Sequence, residues 1–332
     1  MCRMFYMETE QPLKSTRKIA KFALNWWSSR NKDGTGLALV NDGKVKILKT
    51  RFGAKAFWKN ALVPRASRMA GHVRAGTAGG VTDANAHPFI SCDGRSAFMH
   101  NGILGNWAAL AAKMAAKGHK FTSQTDSEVM LHVLEEVGPE RLMNRLKEEG
   151  ISGYANWIWV TPEATFAYSD GALVLVRDEV GMKVAVFSDM EWCEKSFFQK
   201  PKEIPAGTLI TIKNGKHSSK KGFPTLKVPV EWVYGGLVAG YMGGVEVKNT
   251  TCDKDDGIFD YADFNDEVLA AKAAMEAAWK KKEQKKKVAL DDTAWIGPGD
   301  LFCKKCNVVY SEDTANGRCS ICYGTLLNIS NL

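Results

Sequence analysis

No stretch of the 332-residue chain approaches the run of about 18 apolar residues that a membrane-crossing helix needs. Residues 1–30 also lack a signal-peptide pattern, because charged residues interrupt them throughout. Both absences set the expectation of a cytoplasmic protein without membrane contact. Cysteine is scarce: eight in the chain are too few for a disulfide scaffold of this length. No internal repeat is present. What is there, 45% hydrophobic and 25% charged residues, matches a folded globular protein with one large core and an appendage, or two domains. The net charge of +8 is modest but uneven, with six lysines between Lys280 and Lys287.

The patterning sets expectations for local structure. Residues 15–30 place Ser15 as an N-cap before a helical stripe of Ile19, Phe22, Ala23, Trp26 and Trp27. Two strands flank the Asp42-Gly43 turn. Further strands are expected within 156–161, 164–169, 171–178 and 183–189, and helices at about 106–117, 126–137 and 139–149. Closely spaced strands with segregated helices read as a layered α+β domain over residues 2–218. Residues 219–265 read as a Gly- and Lys-rich linker. Residues 266–288 read as an exposed charged helix, acidic first and lysine-rich last, which suits the helix dipole.

Three segments carry more polar chemistry than a core or loop needs: GHVRAGTAGGVTDANAHPF (71–89), FMHNGILGNW (98–107) and QTDSEVMLHVLEE (124–136). Together with Cys2 they resemble the class II glutamine amidotransferases, an N-terminal-nucleophile (Ntn) family. Met-Cys at the start is followed there by Gly-His-x-Arg, Asn-Ala-His-Pro, His-Asn-Gly and Thr-Asp-x-Glu segments. The resemblance covers residues 2 to about 215 and implies a four-layer αββα Ntn-hydrolase sandwich.

The chemistry of the residues agrees with it. With Met1 removed, Cys2 would carry a thiol and a free amine, whose reference pKa of about 7.7–8.0 makes it a base near neutral pH. A nucleophile and its activating base would then share one Cα. The thiol would attack the side-chain amide of glutamine, release ammonia and leave a thioester for water. The resemblance implies that Asn101, through its amide, and Gly102, through its backbone N–H, stabilise the oxyanion. It implies that Arg74 clamps the α-carboxylate of L-glutamine and Asp126 takes its ammonium. A guanidinium fork suits a carboxylate. An N-cap is the alternative for Asp126, and an Asn-Gly turn between strands is the alternative for Asn101 and Gly102. Thr77 and His87 match positions near the glutamine pocket, and His87 is as well placed to orient a loop as to touch substrate. Three departures stand out. Arg3 and Ala78 replace a usual Gly and a frequent His, and Ala75 stands where many synthases carry a pocket-closing Trp.

Family members usually fuse the glutaminase to a domain that consumes ammonia. The 114 residues after 218 are too few for those domains and hold no phosphate-binding glycine loop. A separately encoded ammonia-acceptor enzyme is therefore expected. Near the end, Cys303, Cys306, Cys319 and Cys322 give two C-x2-C knuckles twelve residues apart. That is the spacing of a zinc ribbon holding structural Zn2+ with no open coordination position. Such a module folds on its metal. With the lysine run before it, the tail could serve a protein partner or nucleic acid, and an Ntn fold kept as a binding module is the alternative to an enzyme. Cys92, Cys193 and Cys252 show no pattern and read as buried or incidental thiols.

Overall fold

The computed structural model describes residues 2–76, 79–179, 181–197 and 199–228, with three short strands at 301–303, 308–310 and 327–328. Thr77, Ala78, Cys252, Cys306, Cys319, Cys322 and the 266–288 helix with its lysine run lie outside the described residues. Two compact units divide the chain, Met1–Lys272 and Ala273–Leu332.

Along the first unit run β1 (Arg3–Thr9), α1 (Lys14–Ser28), β2 (Thr35–Asn41), β3 (Lys44–Thr50), α2 (Ala54–Asn60), β4 (Arg68–Val73), β5 (Phe89–Ile90) and β6 (Ala97–Gly105). Three helices follow, α3 (Trp107–Ala116), α4 (Asp126–Val137) and α5 (Leu142–Glu148). Then come β7 (Ser152–Val160), β8 (Thr165–Ser169), β9 (Leu173–Glu179), β10 (Met182–Phe187), α6 (Met190–Ser196), β11 (Lys202–Ile204), β12 (Thr208–Lys213) and β13 (Lys216–Lys221). One sheet has the order β11-β9-β10-β1-β4-β2-β3 and the other β13-β12-β8-β7-β6-β5. The β2–β3 connection is the expected Asp42-Gly43 turn, with φ of 50° and 68°, the backbone of a type I′ turn whose twist matches its strands.

Met4, Tyr6, Ala38 and Ala70 of the first sheet pack against Met99, Ile158, Ala167 and Ile210 of the second. The second sheet's other face, through Phe98, Leu104, Trp157 and Tyr168, is covered by Leu110, Met130, Leu134 and Leu142 from α3, α4 and α5. On the first sheet's outer face Phe5 meets Trp27 of α1 at 6.1 Å and Phe187 meets Trp192 of α6 at 5.2 Å. The result is helix, sheet, sheet and helix, an α+β sandwich of four layers. Each large side chain fully buried between layers contributes about 1.5–3 kcal/mol.

Two local expectations need correction. Helix α1 begins at Lys14 with Leu13 in extended backbone at the cap and no side-chain cap bond, so Ser15 is not the N-cap. The Thr16 hydroxyl donates to the Leu13 carbonyl at 2.8 Å instead. The layered domain also runs past residue 218. Strand β13 reaches Lys221, Gly153 N–H donates to Lys227 O at 2.8 Å, and Leu226 is buried beside the helices. In the second unit β14 (Leu301–Cys303) pairs antiparallel with β15 (Val308–Tyr310) and with β16 (Leu327–Asn328). Among the described residues, no helix is long and apolar enough to cross a membrane.

Candidate active site

Antiparallel pairing brings the first chemistry-bearing residues together. β1 and β4 align with Arg3 opposite Val73, so the residue before β1 lies beside the residues after β4. Cys2 is consequently held against Ala75: the Ala75 N–H donates to Cys2 Sγ at 3.2 Å, and the thiol faces the Ala75 carbonyl at 3.4 Å. Cys2 is 8% exposed. Burial pushes its pKa up, against a downward pull from the Ala75 N–H and the Arg74 guanidinium. The protonated thiol is therefore the resting form at neutral pH, and attack needs a base to remove the proton.

Strand β6 supplies the next residues, and its alternation sorts them. Phe98 and Leu104 face the helices, whereas Ala97 and Met99 face the first sheet. His100 and Gly102 share the parity of Phe98, and Asn101 that of Met99. His100 Nδ1 accordingly meets Ser127 Oγ of α4 at 3.0 Å. Asn101 points between the sheets, where its amide donates to Ser188 Oγ at 3.1 Å. Ser188 also accepts the Met4 N–H at 2.8 Å. The turn alternative for Asn101 and Gly102 is thus wrong: both lie inside β6, paired with Asn156 and Ala155 of β7. Gly102 has no room for a side chain, since a Cβ there would sit 2.2 Å from the Tyr154 carbonyl and 2.2 Å from His100 Nε2.

Helix α4 carries the acidic group. Thr125 is its N-cap, accepting from Glu128 N, so the cap alternative for Asp126 also fails. Asp126 is buried at 4% exposure, and its Oδ2 accepts the Leu104 N–H at 2.8 Å, which fixes the carboxylate to the end of β6. Arg74 is 3% exposed, with its guanidinium donating to the carbonyls of Gly80 and Gly79 at 3.1 and 3.4 Å. His87 stacks on His72 at 4.0 Å between centroids. Lys49 donates to the carbonyls of Ala84 and Ala86 at 2.9 Å each and so anchors the segment leading into His87. Burial lowers the Lys49 pKa to about 8.

One small cavity is lined by Cys2, Arg74, Ala75, His87, His100, Gly102, Thr125, Asp126 and Ser127. Of the residues expected from sequence, Cys2, Arg74, His87, Gly102 and Asp126 meet there. Asn101 is on the opposite face of β6, and Thr77 is outside the described residues. His100, Thr125 and Ser127 were missed as wall residues. Their signal was present, because His100 and Thr125 belong to the His-Asn-Gly and Thr-Asp-x-Glu segments, Ser127 stands inside the latter, and His100 shares strand parity with Gly102. The departure at position 3 is accommodated away from the thiol: Arg3 Nε pairs with Asp189 at 3.2 Å, a carboxylate that also accepts Trp27 Nε1 at 2.9 Å.

Residues 55–192 match the family model of a glutamine amidotransferase domain. That span holds Arg74, Thr77, His87, Asn101, Gly102 and Asp126 but begins after Cys2. The chain is similar to glutamine--fructose-6-phosphate aminotransferase of Streptomyces coelicolor, 42% identical over 111 residues, which is 32% of this chain and 18% of that protein. It is 40% identical over 124 residues to the Thermus thermophilus enzyme of the same name, 36% of this chain and 20% of that one. The matches thus span about a fifth of those relatives' length. In fold it resembles the glutamine phosphoribosylpyrophosphate amidotransferase of B. subtilis complexed with ADP and GMP, with a TM-score of 0.54 at 18% identity, covering 67% of this chain and 49% of that one. The sequence match is thus to a glutamine amidotransferase domain over residues 55–192, and the fold is like that of an amidotransferase.

The three stacked or adjoining histidines should make the fold acid-sensitive. Burial lowers the His72 pKa to about 3, lowers His87 well below its ordinary value, and lowers His100 as well. In the unfolded chain each titrates near about 6.5, so below that pH the unfolded state binds protons that the folded state refuses. Stability from these groups is complete above about 6.5 and falls with acid, by up to about 1.4 kcal/mol per pH unit for each neutral histidine. Denaturant midpoints measured at pH 7 and pH 5 should drop accordingly, and His72→Gln should flatten the drop. Equal pH slopes in both proteins would contradict this account.

Proposed function

We propose that the domain hydrolyses L-glutamine to glutamate and ammonia through a thioester on Cys2, and that the ammonia passes to an acceptor on another domain or a separately encoded enzyme. The supporting observation is that a thiol, a buried guanidinium, a buried carboxylate and a side-chain-free strand residue line one cavity although they come from four segments. A free amino acid presents one charge of each sign, and Arg74 and Asp126 offer the complementary pair.

In this reading removal of Met1 leaves the Cys2 amine beside its own sulfur, and the amine takes the thiol proton. Sulfur bonds to the amide carbon, and the oxyanion formed is met by the Gly102 N–H. The Asn101 amide, which donates to Ser188 Oγ on the other face of β6, would have to leave that contact and move toward the cavity to act as a second donor. The amine, now an ammonium, returns the proton to the departing nitrogen, which leaves as ammonia. Water then attacks the thioester with the same amine as base.

We further propose that Cys303, Cys306, Cys319 and Cys322 hold one structural Zn2+ in the second unit. The spacing supports it, as does the position of Cys303 at the end of β14 with the antiparallel β15 starting at Val308.

The test of the glutaminase reading is equimolar release of glutamate and ammonia from glutamine, compared with asparagine and simple amides. Hydrolysis of glutamine alone is expected. Equal turnover of an amide lacking the zwitterion would sink the substrate assignment. Asp126→Asn should raise KM for glutamine by about 10–100-fold, the loss of one charge-assisted bond, with a smaller change in kcat. An unchanged KM would remove Asp126 from the substrate pocket.

A further inference from the structure

A second cluster of chemistry-bearing side chains lies in the first unit, and the proposed glutamine reaction uses none of it. Cys92 follows β5, His119 lies between α3 and α4, and His132 and Glu135 share one face of α4 at i and i+3. Cys92 Sγ is 3.4 Å from His119 Nδ1 and 3.6 Å from His132 Nδ1. Glu135 Oε2 is 2.7 Å from His132 Nδ1 and 3.1 Å from His119 Nδ1. All four ligand atoms lie within 4.8 Å of one another.

We propose that Cys92, His119, His132 and Glu135 form a tetrahedral site for a divalent transition metal, with Zn2+ the best match. Metal–sulfur and metal–nitrogen bonds of about 2.3 and 2.0–2.1 Å at tetrahedral angles put sulfur and nitrogen about 3.6 Å apart. The two sulfur–nitrogen distances in the cluster, 3.4 and 3.6 Å, fit that edge, whereas Glu135 Oε2 and His132 Nδ1 at 2.7 Å must open toward the oxygen–nitrogen edge of about 3.3 Å when an ion enters. Each contact alone would pass for a hydrogen bond. Hydrogen bonding does not, however, require a thiol, two imidazoles and a carboxylate from three segments to converge on one centre. The mixed donor set suits a borderline cation better than Mg2+ or Ca2+, which favour oxygen.

The surroundings support the ligand roles. The far nitrogen of His119, Nε2, faces Glu136 Oε1 at 3.4 Å, the outer carboxylate that commonly orients a ligating imidazole. The His132 ring is wedged between the rings of His119 at 4.8 Å and Phe121 at 4.6 Å, which fixes its orientation. The other oxygen of Glu135 accepts the Cys92 N–H, so the carboxylate is aimed before any ion arrives. Four protein ligands close the coordination sphere, and the site is structural. Its ion would tie α4, which begins at Asp126, to the segment that follows His87 and β5. The proposal does not rest on the glutaminase reading. Cys92 is exposed, which corrects its reading as a buried thiol, whereas Cys193 is buried.

The test uses the full-length chain carrying Cys303→Ser and Cys306→Ser, so that the second unit's cysteines contribute no site. After stripping with a chelator, reloading with Zn2+ and dialysis, elemental analysis should find about one equivalent per chain. Adding Cys92→Ala should reduce that to background, and so should His132→Gln. Glu135→Gln, which keeps the side-chain shape, should weaken Zn2+ binding about 10-fold or more in competition with a chromophoric chelator. Co2+ loading should give a thiolate-to-cobalt charge-transfer band that Cys92→Ala removes. Circular dichroism of the stripped proteins should be the same, separating loss of ligand from loss of fold. No retained metal in the parent, or undiminished metal in both Cys92→Ala and His132→Gln, overturns the proposal.

Discussion

Cys2→Ala should fold normally and lose glutamine hydrolysis by about 10^4-fold or more, the scale on which removal of a nucleophile acts in acyl-transfer enzymes. The fold should tolerate the change because, among the described residues, the hydrogen bonds lost with the sulfur are those to Ala75, at 3.2 and 3.4 Å. Its thermal midpoint should stay close to that of the parent. A chain with an uncleaved N-terminal extension should be as inactive as Cys2→Ala. There the sulfur is retained, but the amine has become an amide without basicity. Burial makes this second result informative: because it pushes the thiol pKa up, little thiolate exists at neutral pH without a base beside it. Steady glutamate release by either protein at the parent rate would defeat the mechanism.

The second large effect is expected on β6. Asn101→Ala removes the second oxyanion donor of the proposed mechanism and should cost about 10^2–10^3 in kcat with little change in KM, since the charge on oxygen develops only in the transition state. Gly102→Ala should act at least as strongly for a different reason. Its Cβ would fall 2.2 Å from the Tyr154 carbonyl, a backbone atom held by the β6–β7 ladder, and 2.2 Å from His100 Nε2. Strand β6 must shift to make room, which misaims the residue 102 N–H. Stopped-time assays over a range of glutamine concentrations separate kcat from KM. A purely KM effect in Asn101→Ala would place that residue in ground-state binding and leave the oxyanion donor unassigned.

Much of this arrangement could be read from residues alone, for identifiable reasons. The Asp42-Gly43 hairpin was legible because its turn chemistry admits little else, and α3 and α4 because their apolar spacing is helical. The strands that carry the site were not read as strands. β1 is buried along nearly its whole length, so it shows no alternation, and β4 and β6 are interrupted by Gly, His and Asn residues, of which His100 and Gly102 line the cavity. Without the strand parity of β6, the separation of Asn101 from His100 and Gly102 could not be anticipated. Cys92, His119, His132 and Glu135 were invisible for a related reason. They come from three segments with 26 and 12 intervening residues, whereas metal motifs read from sequence are local.

The central claim is that Cys2 becomes the terminal residue and bears the acyl group. The most direct measurement is the intact mass of the protein before and after a diazo-ketone analogue of glutamine, with the modified peptide located by fragmentation. The account predicts a chain lacking Met1 that gains a single adduct on Cys2. A chain that retains Met1 and is modified elsewhere, or not at all, would contradict it.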